Sequence, residues 1–150
     1  MAASILGLIA KKYSHSSHML KPRLVRSCLK TFLDPSKPFG AHYGAIIGLQ
    51  SVGGAEVVRA LIVPNLSEYS KLISDGIEDT ARRPAAERVL TTLLAVLAAL
   101  RDSSVSLSNG HPAAVTDELR AKLTSKVGEL IASKIADANE VQLAYLLLEA

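Results

Sequence analysis

The sequence predicts an all-α protein, and three observations lead to this fold class. Apolar residues make up 49% of the chain, but aromatic residues only 4%, and there is no Trp. A core of Leu, Ile, Val and Ala suits helices that pack closely against helices. Apolar positions recur at three- and four-residue spacing, whereas no sustained two-residue alternation of β-branched residues occurs between turn residues.

The first two predicted helices precede a proline-rich turn. Apolar residues in 5–9 keep helical spacing and run into Lys11 without a capping residue upstream. We therefore expect the last turns of a longer helix, in a chain truncated upstream. The second helix, about Met19 to Leu33, has an apolar stripe and an opposite basic face, with Pro22 in its first turn.

The stretch Asp34-Pro35-Ser36-Lys37-Pro38 predicts a short turn between two helices. Pro35 disfavours helical geometry at Asp34, which ends the preceding helix. Ser36 can then cap the next helix, and Pro38 can occupy its first turn. Because so short a turn makes neighbouring helices pack as an antiparallel pair, we assign structural roles to Asp34, Pro35 and Pro38.

The third predicted helix, 37–51, carries Gly40, Gly44 and Gly48 at four-residue intervals. Each glycine costs a helix about 0.5–1 kcal/mol relative to alanine, so a compensating interaction is required. A close contact with another helix along the glycine stripe would supply it. Gly44→Leu is then expected to destabilise the fold by several kcal/mol.

The rest of the chain alternates further helices with breaks. Gly53-Gly54 ends the third helix, and Pro64 ends or kinks the fourth, which gives Pro64 a structural role. The later predicted segments are a fourth helix (55–62) continued over 66–73, a polar linker (74–84), an apolar central helix (85–101), a Ser-rich loop (103–111), one long helix (115–135) and a last helix capped by Asp137 or Asn139. Alternating helices and short turns predict a single HEAT-like stack of antiparallel helix pairs over 1–150, an α-solenoid fragment of about seven helices.

The sequence offers no residues for catalysis, cofactor binding or metal binding. Cys28 is the only cysteine, which excludes a disulfide within the chain and a Cys-rich metal site and favours a reducing compartment. His15 and His18 are three residues apart, but in a Ser-rich turn without nearby Cys or carboxylate, so we assign no metal to them. There is neither a nucleophile elbow nor a GxxxxGK loop. We therefore predict a protein that is not an enzyme and needs no cofactor.

Two runs of uncharged residues could be mistaken for membrane-spanning helices. Residues 89–100 are much shorter than the roughly 20 residues that a bilayer requires. The run 39–55 contains His42, Gln50 and five glycines. Neither run predicts a membrane-spanning helix.

The net charge of +3 is spread unevenly. Residues 1–37 hold seven of the basic residues and a single acidic residue, Asp34. This asymmetry indicates an acidic partner, for which we favour a protein surface because neither a nucleic-acid-binding motif nor an aromatic stacking platform accompanies it. A nucleic-acid-binding helical module stays open as an alternative. The candidate partner-facing basic surface consists of Lys11, Lys12, Lys21, Arg23, Arg26 and Lys30.

Several blocks in the first 69 residues resemble a known family. They are Lys21-Pro22-Arg23-Leu24 with Arg26, Phe32-Leu33-Asp34-Pro35-Ser36-Lys37-Pro38, His42-Tyr43-Gly44-Ala45-Ile46-Ile47-Gly48-Leu49, Val57-Val58-Arg59 and Pro64-Asn65-Leu66. Together they are similar to the C-terminal HEAT domain of TBP-associated factor subunit six of the general transcription factor TFIID. The residues in these blocks are most similar to those of fungal members. Beyond Tyr69 only the helix pattern continues the resemblance.

The resemblance implies a nuclear, non-enzymatic scaffold. Members of this family support assembly of the RNA polymerase II pre-initiation complex through contacts with other TBP-associated factors and TFIID subunits, and in fungi with the SAGA coactivator. Their N-terminal histone fold, which pairs with another TBP-associated factor, is absent from this sequence, so the histone-fold partner is expected to bind outside it. Direct DNA binding is not expected. A HEAT scaffold of another nuclear complex is the second alternative.

Overall fold

Helices make up all the regular structure in the part of the chain described by the computed structural model, residues 2–13, 18–103 and 113–150. The all-α, HEAT-like class predicted from sequence is confirmed. His15 and most of the Ser-rich loop lie outside the described residues. The α-helices are α1 (Ala2–Tyr13), α2 (Leu20–Phe32), α3 (Phe39–Val57), α4 (Leu66–Glu78), α5 (Arg83–Ser103), α6 (Asp117–Val127), α7 (Glu129–Asp137) and α8 (Val141–Glu149).

The helices stack in consecutive pairs. α2 packs against α3, α4 against α5, and α6 against α7, while α1 lies on α3 and α8 on α5 and α6. α5, predicted to be the central helix, contacts α3, α4 and α8, while α3 and α4 each lie against as many other elements. Its inward side chains are fully covered, and burial of one such aliphatic side chain contributes about 1.5–3 kcal/mol. These buried residues are Ala86, Val89, Leu90, Leu93, Val96, Leu97 and Leu100.

The turn between α2 and α3 is stabilised by hydrogen bonds to a single carboxylate, that of Asp34. Asp34 Oδ1 accepts hydrogen bonds from the Ser36 amide at 3.0 Å and from the Ser36 hydroxyl at 2.5 Å. These bonds hold the pKa of the Asp34 carboxyl below its usual value. The prediction that Ser36 caps α3 is wrong, because its hydroxyl is bonded to Asp34. Pro38, with extended backbone, is the residue that precedes the first turn of α3.

The chain from α3 to α4 is one bent helical run. Gly54 has φ 69° and ψ −163°, a conformation that favours glycine, so the break predicted at Gly53-Gly54 is present as a kink. A π-helical turn, Val58–Ile62, and a 3-10 turn, Val63–Asn65, then join α3 to α4, with Pro64 inside the 3-10 turn. By length and composition Phe39–Glu78 could cross a membrane. Because this run is bent at Gly54 and packs against α2 and α5, we assign it to the core.

The predicted polar linker at 74–84 is too long. α4 continues to Glu78, so only residues 79–82 connect it to α5. Gly76, taken from sequence as part of a break, is buried in α4, where an added Cβ would collide with the Phe39 ring and with Ala86. Here glycine serves close packing of three helices rather than a turn.

The single long helix predicted over 115–135 is also wrong. Gly128 has φ 88° and separates α6 from α7. The last helix is preceded by Glu140, and neither Asp137 nor Asn139 caps it. Asn139 instead clamps the segment before α6: its Oδ1 accepts from the Val115 amide at 3.0 Å and its Nδ2 donates to the Ala113 carbonyl at 3.3 Å.

Candidate docking surface

The glycine stripe of α3 makes one close contact rather than three. A Cβ added at Gly48 would lie 2.6 Å from Cys28 Sγ, so α2 and α3 approach closely there, as predicted. At Gly40 and Gly44 no atom lies within 4 Å of an added Cβ. The expected tight contact at these two positions is wrong, while the loss of stability expected for Gly44→Leu stays a prediction. Gly40 is exposed and Gly44 is half-buried.

Four aromatic rings lie beneath the α2–α3 turn. Phe32 and Tyr69 stack with ring centroids 4.1 Å apart and planes 12° apart. His42 meets the Tyr69 ring edge-on at 5.5 Å, and Phe39 lies 6.1 Å from His42. All four side chains are buried. The end of α2, the start of α3 and the first turn of α4 therefore share one buried cluster.

Hydrogen bonds join the same rings. The Tyr69 hydroxyl donates to the Phe32 carbonyl at 2.9 Å and contacts Nδ1 of His42. Since Tyr69 has one proton to donate, the network assigns a proton to His42 Nδ1, which donates to the Tyr69 oxygen. His42 Nε2 is buried without a hydrogen-bond partner. Burial lowers the pKa of His42, although the nearby carbonyls of Lys37 and Asp34 favour its charged form.

This cluster has a structural role. Burial raises the pKa of the Tyr69 hydroxyl well above its usual range. Burial also raises the pKa of the thiol of Cys28, which lies on α2 outside the cluster. Both groups are therefore poorer nucleophiles than their exposed counterparts. Within the described ranges, no three His, Cys, Asp or Glu side chains are grouped to hold a metal ion. The geometry of the cluster fixes the turn above it.

Two surface clefts flank the α2–α3 turn. The first has a volume of about 280 Å³ and is lined by Phe32, Leu33, Pro35, Asn65, Glu68, Tyr69 and Leu72. The second, of about 400 Å³, is lined by residues 35–40, Leu72, Ala81, Arg82 and Ala85. Pro35 and Leu72 line both, so Pro35 forms a ridge between them. The stacked rings of Phe32 and Tyr69 make the apolar floor of the first cleft.

The outer side of α2 presents apolar and basic residues in a regular order. Met19, Arg23, Arg26, Lys30 and Leu33 follow one another at steps of four, three, four and three residues, which places them on one side of the helix. All five are exposed, and Met19 and Leu33 keep 63% and 50% of their surface accessible. We call these five residues the α2 face. Leu33 also lines the first cleft.

The predicted basic surface is divided by this geometry. Its six side chains are all exposed, and Arg23, Arg26 and Lys30 share the α2 face. Lys21 is two residues from Arg23 and therefore points to another side of the helix. Lys11 and Lys12 are on α1, which packs mainly on α3. Partner binding by any of the six stays a prediction.

The apolar ends of the α2 face and the cleft beside Leu33 were not predicted from the sequence. Met19 and Leu33 have the same heptad spacing as the three cations between them, and this spacing was visible in the sequence. The cleft was not, because Leu33 and Leu72 line it together only in the folded chain, where the end of α2 meets α4 through the Phe32–Tyr69 stack. Ser70 was missed for the same reason: its hydroxyl accepts from the Leu130 amide at 3.2 Å, in the first turn of α7.

Comparison with known proteins places this surface in a family. The family described as the TAF6 C-terminal HEAT repeat domain matches residues 1–67. Through these residues, a little under half of its length, the chain is similar to that family. The resemblance inferred from the sequence blocks is confirmed, and the α2 face and the α2–α3 turn lie within the matched region of the TAF6 C-terminal HEAT repeat domain.

Curated relatives extend the similarity along the chain. The "SAGA complex/transcription factor TFIID complex subunit Taf6" of Schizosaccharomyces pombe is 34% identical over 151 residues, which cover 99% of this chain and 32% of that protein. "Transcription initiation factor TFIID subunit 6b" of Arabidopsis thaliana is 45% identical over 71 residues, 47% of this chain and 13% of that protein. The same plant's "Transcription initiation factor TFIID subunit 6" is 43% identical over 72 residues, 48% of this chain and 13% of that protein.

These matches change one expectation. The fission-yeast alignment continues beyond Tyr69, where sequence inspection found only a helix pattern. The chain spans about a third of that relative's length and a smaller part of the plant proteins. No solved structure matches the chain significantly.

Proposed function

We propose that this chain is a non-enzymatic scaffold of TFIID and of a SAGA-type coactivator, and that it supports pre-initiation complex assembly in the nucleus through protein–protein contacts. The observation that supports this most directly is the similarity along 99% of the chain to a fission-yeast protein named as a subunit of both complexes. A stack of helix pairs with exposed outer faces suits that role, because each pair contributes surface rather than a reaction centre.

The test is purification of the chain from the cells in which it is encoded. The endogenous gene product is tagged, isolated from nuclear extract and its associated proteins identified by mass spectrometry. Recovery of TBP-associated subunits and of SAGA subunits is the expected result. Recovery of a different nuclear assembly without any TBP-associated subunit would overturn the proposal in favour of a HEAT scaffold of another complex.

We propose further that additional helices cover α1. Ile5, Leu8, Ile9 and Tyr13 are exposed on α1, although apolar residues of an inner repeat are normally buried by the next one. The fission-yeast relative is about three times longer than this chain. Adding the neighbouring upstream part of the encoded protein should therefore raise the melting temperature. An unchanged melting temperature would contradict coverage of α1 by upstream repeats.

The alternative function, nucleic-acid binding, draws on the three cations of the α2 face. Contacts to phosphates release counterions, so the affinity for duplex DNA should fall steeply with salt, by about tenfold or more between 50 and 200 mM. A protein scaffold predicts weak binding without such dependence on Arg23, Arg26 and Lys30. Measurement of DNA binding at both salt concentrations separates the two functions.

A further inference from the structure

We propose that the α2 face and the cleft beside Leu33 bind an acidic helical segment of a partner protein, whose carboxylates lie between two apolar side chains. The proposal rests on the scaffold function proposed above and names the chemistry of the partner. The α2 face suits such a segment because it combines a basic centre with two apolar ends, Met19 and Leu33.

The spacing of the α2 face suits a second helix laid along it. Steps of four and three residues keep a stripe parallel to the helix axis, as in coiled-coil seams. At about 1.5 Å per residue, Met19 and Leu33 lie roughly 21 Å apart along α2. A partner helix of four turns therefore meets both apolar ends and all three cations at once.

Charge complementarity favours an acidic partner. Some cations elsewhere in the chain are neutralised by a neighbouring carboxylate, such as Arg82 by Asp79 at 2.7 Å and Lys122 by Glu118 at 2.8 Å. Among the described residues, no such pair involves Arg23, Arg26 or Lys30. Three neighbouring positive charges repel each other until an acidic partner neutralises them. The same repulsion disfavours pairing of two copies through this face.

The cleft supplies an anchor for one apolar side chain. Leu33 forms its rim at the end of the α2 face, and the buried rings of Phe32 and Tyr69 form its floor. The hydrogen bond from Tyr69 to the Phe32 carbonyl and the ring stacking hold this floor in place. Binding to a preformed pocket loses little conformational entropy, and buried apolar anchors of this kind dominate interface energies.

Nucleic acid fits the same surface less well. Phosphates would pair with the three cations, but Met19, Leu33 and the cleft would make no contact with them. The aromatic rings nearest to the face, Phe32 and Tyr69, are buried and cannot stack on bases. The apolar ends therefore favour a protein partner.

The test uses a defined probe, a fluorescein-labelled helical peptide in which three glutamates lie between two leucines at the spacing of the α2 face. A second peptide has serine in place of both leucines. Binding to the full chain is measured by fluorescence polarisation. We expect the leucine peptide to bind at least about tenfold more tightly than the serine peptide, which corresponds to about 1.4 kcal/mol.

Substitutions of exposed side chains then locate the binding site without unfolding the protein. Lys30→Glu should weaken both peptides about tenfold, whereas Leu33→Ser should weaken only the leucine peptide. The matched controls are Lys134→Glu, which reverses an exposed charge on α7, and Leu8→Ser, which removes an exposed leucine from α1. Neither control should change either affinity, and thermal melts should show all four variants folded.

Three results would overturn the proposal. Equal affinities for the leucine and serine peptides would remove the apolar anchor. Tighter binding of duplex DNA than of the peptide, lost in Arg26→Glu, would assign the face to nucleic acid. A dimer in sedimentation that Leu33→Ser dissociates would assign it to self-association. None of these results depends on which subunits co-purify with the chain, so failure of the peptide experiment and failure of the scaffold assignment are distinguishable.

Discussion

The Tyr69 hydroxyl donates a hydrogen bond to the Phe32 carbonyl at 2.9 Å, while the rings of the two residues stack at 4.1 Å. The pair joins the last turn of α2 to the first turn of α4, although the two residues are 37 positions apart in sequence. Phe32 would otherwise leave a buried carbonyl at a helix end without a partner. The contact thus stabilises the turn and keeps the floor of the first cleft in place.

Tyr69→Phe tests the energetic importance of this hydrogen bond. The ring stacking can persist, but the Phe32 carbonyl and His42 Nδ1 lose their shared partner. Unsatisfied buried groups of this kind cost about 1–3 kcal/mol, and we expect the free energy of unfolding to fall by that amount in urea titrations. Tyr13→Phe, at an exposed position of α1, is the matched control and should change stability by less than about 0.5 kcal/mol. Equal stability of both variants would contradict the role given to Tyr69.

The stability of the chain should depend on pH through His42. Burial lowers the pKa of His42 in the folded protein below the 6.5 of an unperturbed histidine, so the unfolded chain binds more protons below that pH. The contribution of neutral His42 is fully present above pH 6.5 and is lost as the pH falls through the folded-state value. Urea midpoints measured from pH 7.5 to pH 5 should therefore decrease.

The source of this pH dependence is separable by mutation. His42→Gln should flatten the profile between pH 6.5 and pH 5. Asp34 titrates lower, because its hydrogen bonds to Ser36 depress the pKa of its carboxyl below 3.8. A profile that His42→Gln leaves intact would show that other groups cause the loss.

The fold was predictable from sequence where local chemistry decides it. The proline-rich turn after Phe32, the break at Gly54 and the apolar helix α5 all follow from backbone preferences and apolar periodicity. Prediction failed where long-range packing decides. Gly76 resembles a helix breaker, yet it is buried because Phe39 and Ala86 occupy the space of its missing side chain.

The candidate surface shows the same division. The three cations of the α2 face were predictable because their spacing and charge are properties of one helix. The cleft beside Leu33 was not, since it exists only where α2 and α4 meet. The glycines of α3 show a limit of prediction from residue spacing. Four-residue spacing places them on one side of the helix, but it does not predict how many of them contact a neighbouring helix.

Two glycines of α3 should respond to alanine in opposite directions. At Gly44 an added methyl group meets no atom within 4 Å, so Gly44→Ala should raise the free energy of unfolding by about 0.5–1 kcal/mol through its helix propensity. At Gly48 it would lie 2.6 Å from Cys28 Sγ, and overpacking of this kind costs about 1–3 kcal/mol. Thermal melts of the two variants compare them directly.

A double mutant identifies the cause at Gly48. Without Sγ the nearest atom to the added methyl group is the Cβ of residue 28 at 3.7 Å, an ordinary contact distance. Cys28→Ala should therefore rescue Gly48→Ala, and the double-mutant cycle should show a favourable coupling energy. Additive effects would mean that Gly48 is required for another reason.

Ser70→Ala tests the junction of α4 with α7. The Ser70 hydroxyl accepts a hydrogen bond from the Leu130 amide at 3.2 Å, one of the first amides of α7, which has no partner within its own helix. Gly128, the residue before α7, lies so close to Ser70 that an added Cβ would collide with it. Because a side chain from another helix replaces the usual N-cap, its loss should cost about 0.5–2 kcal/mol, as for local caps.

Ser74→Ala, one turn further along α4, is the matched control for Ser70→Ala. In urea titrations only Ser70→Ala should lower the midpoint, and hydrogen exchange at Leu130 should accelerate in that variant alone. Unchanged exchange at Leu130 would contradict the capping role.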